Sequence, residues 1–298
     1  MRELPLQYKK SINKYEPISV EGLTLYPIRV SEYEEFLIAR HALDFVVQSL
    51  PVELMSMPVL QAFFKIDYEK AINGEESSGL FASALVGLSL ALRLSQDTSL
   101  EALLRPFKMV PDQKDPSRLK QLEATINGIE QIAITPVQYA ELRKIIAAQN
   151  GVEIPDEMAN PELLQAERDL AESGNRRLDY SIEDIIISVA AAEGKDEEEI
   201  YDWPVLKLNR HMEHYKRRLD YVICGIAESQ GTTWKGGNPA PSPVFPRSKG
   251  SSSALVDAAG FAGGQALSAI NNQSGSKPDK TSEGVNNNDS VHRQQTVS

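Results

Sequence analysis

Asp202-Trp203-Pro204-Val205-Leu206-Lys207-Leu208-Asn209-Arg210-His211-Met212-Glu213-His214-Tyr215-Lys216-Arg217-Arg218-Leu219-Asp220-Tyr221-Val222, running on to Ile226, is the stretch that decides the fold class. Apolar side chains fall at Val205, Leu208, Met212, Tyr215, Leu219, Val222 and Ile226. Steps of three and four in alternation give a period near 3.5, the period of a helix that packs lengthwise on another helix. Lys207, Arg210, Lys216, Arg217 and Arg218 surround this seam, a basic face in an acidic protein. Such a seam has two uses: packing on its own domain, or association with a partner or a second copy. Periodicity does not separate them. If part of it is a partner surface, the residues that form it are Leu208, Met212, Tyr215, Arg217, Arg218, Leu219 and Val222.

Working upstream, the chain continues to read as helix. Ser181-Ile182-Glu183-Asp184 opens one through Ile185, Ile186 and Val189, stopped by Gly194. An acidic turn, Asp196 to Tyr201, follows it. Thr135-Pro136 and Asn160-Pro161 each pair an N-cap with a first-turn proline, predicting helices to Asn150-Gly151 and to about Glu172. Between residues 119 and 134 lies the clear β signal. Leu119 to Ile126 and Ile129 to Ile134 flank Asn127-Gly128, the strongest two-residue turn pair, so a hairpin is expected. The stretch from Pro106 to Ser117 reads as loop, after a short helix over Leu100 to Leu104.

The N-terminal part reads as a helical bundle. Gly79 to Leu92 carries no charge, which predicts a helix buried on all sides. Its charge-free length falls short of the roughly 20 residues of a membrane span. Pro58 starts another helix (Leu60, Phe63, Phe64) and Gly74 ends it. Ser31-Glu32-Tyr33-Glu34 reads as a capping box, opening a helix that runs to Pro51. Residues 1–30 read as extended, with strand-like Leu23-Thr24-Leu25-Tyr26 and Ile28-Arg29-Val30 around Pro27. The expectation is a mainly α protein: a helical bundle, one small β-hairpin and a short N-terminal extended segment. Three regions follow, 1–118, 119–230, and a Pro/Gly/Ser/Asn-rich tail over 231–298 too poor in apolar residues to order itself. Within the tail, Asn238 to Pro246 favours a polyproline-like form, and Ala254 to Ile270 is a short apolar stretch broken by Gly260, Gly263 and Gly264.

Composition narrows the function classes. With 298 residues and 41% hydrophobic content the chain builds a sizeable core. A net charge of -11 disfavours sequence-independent binding of nucleic acid, which depends on neutralising phosphates. Cys224 is the single cysteine, so a reducing compartment is expected and no disulfide forms within the chain. No secretory signal is legible near Met1. A cytoplasmic, soluble protein is expected.

Candidate chemistry is sparse. His211 and His214 stand three apart on the long helix, but no third ligand completes a zinc set. His41 reads as a core or boundary residue. Asp196-Glu197-Glu198-Glu199 is explained by the helix dipole, which favours acidic side chains in a first turn. Gly260-Phe261-Ala262-Gly263-Gly264 lacks the Lys-Ser or Lys-Thr of a phosphate loop. Cys224 has no histidine at nucleophile spacing and reads as a small buried hydrophobe. No catalytic residue, cofactor or metal site is expected, and no enzyme.

Short patterns carry a resemblance. Gly22-Leu23-Thr24-Leu25-Tyr26-Pro27-Ile28 before a capped helix, Ile134-Thr135-Pro136 leading to Gln149-Asn150-Gly151-Val152-Glu153-Ile154-Pro155-Asp156, and Tyr201-Asp202-Trp203-Pro204 leading into a basic helix form the set. It resembles proteins encoded among the tail genes of Gram-positive phages and prophages, some of which are tail assembly chaperones. The likeness covers about residues 20–245. It implies a mostly helical protein of the host bacterial cytoplasm that binds the tape measure protein, recruits tail tube subunits and is absent from the finished particle. In proteins of that kind a longer form often carries a C-terminal extension made by ribosomal frameshifting, a part open to the tail after Gly231. The alternative within the same resemblance is a structural virion protein of the tail, baseplate or connector. A third class, a nucleic-acid adaptor using the basic helix, is opposed by the overall charge.

Overall fold

The computed structural model describes residues 4–126, 130–154 and 181–231, together with Glu162, Ala166, Ala240 and Ser242. Ten α-helices and two small antiparallel sheets lie among these residues, so the protein is mainly α. Helix α1 (Leu6–Lys14) is followed by β1 (Ile18–Val20) and β2 (Leu23–Leu25), which pair as a hairpin. Then come α2 (Tyr33–Leu43), α3 (Val52–Met55), α4 (Val59–Asn73), α5 (Leu80–Leu92) and α6 (Leu100–Leu104). A three-stranded sheet in the order β3-β4-β5 is built from Phe107–Pro111, Leu119–Ile126 and Glu130–Ile134. The chain continues into α7 (Pro136–Gln149). After the undescribed residues come α8 (Ile182–Glu193), α9 (Glu197–Tyr201) and α10 (Val205–Ser229).

Helix α5 is the centre. Eleven of its residues, from Phe81 to Leu92, are buried, as its lack of charge requires. It packs along α2, where an added Cβ on Gly87 would meet the Ala39 side chain at 3.4 Å, so the two backbones approach closely. Its N-terminus is capped from α4. The Asp67 carboxylate accepts from Ser78 N (2.7 Å), Ser78 Oγ (2.6 Å) and Phe81 N (3.3 Å). Its C-terminal end is tied to the first segment by Tyr26 N donating to the Ala91 carbonyl at 2.7 Å.

Long-range polar ties lock the layers. Arg143 of α7 is buried and donates to the carbonyls of Ala42, Leu43 and Phe45 at 2.8–2.9 Å. The first two are the last carbonyls of α2, groups that a helix end otherwise leaves unpaired, and Phe45 lies two residues beyond its end. Asn150 accepts from Ile28 N (2.9 Å) and donates to the Ile146 carbonyl (2.8 Å). Gln61 accepts from Leu119 N (2.7 Å), fixing the start of β4 on α4. One hydrophobic cluster runs from Ile12 through Leu122, Tyr139 and Ile186 to Leu208, so residues on both sides of 118 share a core.

Several expectations change. Residues 6–14 are helical rather than extended. Only Ile12 of α1 is buried, so its apolar period is too thin to read, and the helix is closed by Tyr15 in the left-handed conformation. The expected Ser31 and Glu34 cap does not form at α2; the side-chain cap lies one turn earlier, where Glu32 accepts from Arg29 N at 2.9 Å at the start of a 3-10 turn, Val30–Glu32, that leads into α2. Helix α2 stops at Leu43, well before Pro51, because Arg143 takes its terminal carbonyls. The segment after Pro106 is not all loop: Phe107–Pro111 adds a third strand to the hairpin. It is an edge strand, where Pro111 is tolerated at the end of the ladder. The Asn127-Gly128 turn, most of the expected helix after Pro161, and the tail beyond Gly231 apart from Ala240 and Ser242 lie outside the described residues.

Candidate interaction surface

The long helix has two halves. Its start is held by the extended segment near the N-terminus. Val30 N donates to the Trp203 carbonyl at 2.8 Å, and Val205 N donates to the Ile28 carbonyl at 2.9 Å, around an isolated bridge between Arg29 and Pro204. Val205 and Leu208 are fully buried, with Leu206 and Asn209 nearly so. On the flank, the Lys207 ammonium lies 3.7 Å from the centre of the Trp203 ring. Burial, and secondarily the neighbouring Lys195, hold the Lys207 ammonium below its ordinary value. His211 Nδ1 lies 3.0 Å from Glu193 Oε1 of α8, and its ring stands 4.8 Å from that of Trp203. Arg210 donates to Asn13 Oδ1 at 3.0 Å and lies over the Tyr15 ring. This half of α10 belongs to the body.

The other half turns its apolar residues outward. Here the buried positions are Asp220, Cys224 and Ala227. Val222 and Ile226 are 50% and 53% exposed, and Tyr221 is 44% exposed. At 3.6 residues per turn, Val222 and Ile226 stand on nearly the opposite side of the helix from Asp220 and Cys224. The 3.5-residue seam and the buried face therefore coincide at Val205 and Leu208 and have separated by residue 220.

Each sequence-predicted surface residue takes its place in this division. Leu208 is completely buried and offers no surface, which corrects its assignment to a partner-binding set. Met212 is partly buried and packs against the core. Tyr215 and Leu219 are half-buried. Arg217 is also half-buried and pairs with Glu213 at 2.9 Å, four residues back on the same helix. Arg218 and Val222 are exposed. The face that remains consists of Arg218, Tyr221, Val222, Gly225 and Ile226. Tyr221 and Gly225 were missed because neither falls on the seam. The available signal was the glycine itself, which costs about 1 kcal/mol against alanine within a helix and so asks for a reason.

The basic residues do not form a free cationic face. Lys207, Arg210 and Arg217 are engaged within the chain and Lys216 is half-buried and not free, leaving Arg218 as the exposed member of the five. Among the described residues, no group of three or more His, Cys, Asp or Glu is placed to hold a metal ion. His41 is exposed, not at a core boundary. It lines a shallow groove of about 360 Å³ with Leu37, Ile38 and Leu100. A second groove of about 330 Å³, between α7 and the segment around Met55 and Met57, is floored by Val59 and Arg143. Glu34, Glu35, Thr98 and Ser99 complete the lining of the first groove. Cys224 is buried, as a small apolar residue would be. No helix among the described residues is long and apolar enough to cross a membrane.

No family model matches the sequence, and no curated protein or solved structure matches it significantly.

Proposed function

We propose that this chain is a non-enzymatic assembly factor, a tail assembly chaperone of a phage or prophage, which holds apolar helical segments of the tape measure protein in the host cytoplasm and helps recruit tail tube subunits. The observation that carries the reading is the divided α10, anchored in the core by Val205 and Leu208 and presenting Val222 and Ile226 at about half exposure. A chaperone for a long helical protein needs a rigid scaffold with an apolar helical face, and the i, i+4 pair Val222 and Ile226 on a fixed helix suits that mode of recognition. The short tail-gene patterns around Gly22, Thr135 and Trp203 support the choice of partner. Arg218 beside the apolar pair favours target helices with acidic flanks.

The test is co-expression with tape measure segments followed by affinity capture. Val222→Asp together with Ile226→Asp is expected to abolish capture while circular dichroism and melting remain close to wild type. Capture undiminished by the double variant would remove α10 as the docking face. A structural virion role is the competing outcome, and constant stoichiometry in purified particles would establish it.

A further inference from the structure

The exposed half of α10 carries its own complement, and we propose that it pairs with a second copy of this chain as an antiparallel helix pair. The inference rests on the geometry of α10 and not on the tape measure reading.

Three observations place the pair. Gly225 lies in the middle of the exposed face, and a Cβ built there meets nothing within 4 Å, so no packing among the described residues explains a glycine in this helix. Tyr221, Val222 and Ile226 surround it with partly exposed apolar surface. Arg218 and Glu228 are exposed at opposite ends of the patch, about 15 Å apart along the axis. Neither takes part in an ion pair among the described residues.

A twofold axis crossing the helix at Ile223 satisfies all of these together. In an antiparallel pair about that point, position n of one copy faces position 446 minus n of the other. Tyr221 then meets Gly225, and Arg218 meets Glu228, each twice by symmetry. Val222 lies within one turn of Ile226 on the same flank. The glycine supplies the notch that a tyrosine ring fills, and the opposite charges fix direction, since a parallel pair would place Arg218 on Arg218. The contact spans three helical turns, small beside a standard interface, so a reversible dimer follows and not a permanent one. Pairing covers the apolar face until a longer target helix displaces the second copy.

Sedimentation velocity on the purified full chain tests this across a wide concentration range. A concentration-dependent dimer is expected. Arg218→Glu and Glu228→Arg each put like charges together and are expected to weaken it about tenfold or more. An equimolar mixture of the two variants should recover dimer, because both cross-pairs become attractive in the mixed species. Gly225→Leu should abolish dimer without loss of folding, since the side chain projects into open space and improves helix propensity. A monomer at every concentration overturns the proposal. So does a dimer indifferent to Gly225→Leu and to both charge reversals, since it would use another surface. Because the purified chain is used alone, failure here leaves tape measure capture to its own test, and the reverse.

Discussion

The division of α10 into a buried and a presenting half makes a quantitative prediction from two truncations on one helix. Leu208→Ala removes a side chain with no exposure, inside a core that also holds Val205, Ile186 and Ile146. Truncations of this kind cost about 2–5 kcal/mol, the lost transfer energy plus that of the cavity left behind. Taking about 3 kcal/mol, and 2–4 °C per kcal/mol for a domain of this size, Tm falls by roughly 6–12 °C. Val222→Ala removes two methyl groups from a side chain that is 50% exposed. The lost burial is partly offset by alanine's better helix propensity, so the net change stays within about 0.5 kcal/mol and Tm moves by roughly 2 °C or less. Differential scanning calorimetry at low micromolar protein, where α10 is unpaired, compares the two. Equal losses for Leu208→Ala and Val222→Ala would refute the division, since they would place Val222 in the core.

Four further outcomes follow from the packing. Arg143→Met leaves the carbonyls of Ala42, Leu43 and Phe45 without their donor and is expected to destabilise by about 3 kcal/mol or more; Arg143→Lys restores only part, because an ammonium cannot reproduce the guanidinium fork. Both are read by urea unfolding. Asp67→Ala removes three hydrogen bonds at the start of α5 and should cost about 1–2 kcal/mol, with Asp67→Asn recovering much of it. The Tyr139 hydroxyl is buried without a hydrogen-bond partner among the described residues, so Tyr139→Phe should hold or raise Tm at neutral pH. Burial also pushes the Tyr139 phenol above its ordinary value of 10.0, so the folded state keeps a proton that the unfolded chain releases. That contribution is complete below pH 10 and falls away as pH rises beyond it; Tyr139→Phe should flatten this part of the stability–pH curve.

Much of the fold is written in its punctuation. Thr135 and Gln138 form the reciprocal cap that opens α7, Ser181 and Asp184 do the same for α8, and Gly74 closes α4 in the left-handed conformation. These motifs are local, so the sequence displays them. The uncharged run at α5 declared its own burial. What stayed hidden depends on distant partners. The end of α2 is set by Arg143, a hundred residues away in the chain, and β3 becomes a strand because β4 is there to pair with it. Helix α1 buries one residue, too few to show a period.

The candidate surface was half legible. Apolar residues at 3.5-residue spacing mark α10 as a helix that packs lengthwise, but a straight α-helix has 3.6 residues per turn, so a seam of that period winds slowly around it. From Leu208 to Val222 that drift is only about 40°; it is the switch of the buried face to Asp220, Cys224 and Ala227, on the other side of the helix, that leaves the seam at the surface. Hydrophobicity alone assigns Cys224 and Asp220 no preference over Val222 and Ile226, and in fact prefers the wrong pair for burial. Only packing decides.

The proposed role as an assembly factor is tested most directly by quantitative mass spectrometry of a lysate that is producing particles, set against particles purified from it. The account predicts that the chain is abundant in the lysate and missing from the particles. Its retention in purified particles at a constant ratio to the tail tube protein would contradict the chaperone role and make it a structural part of the tail.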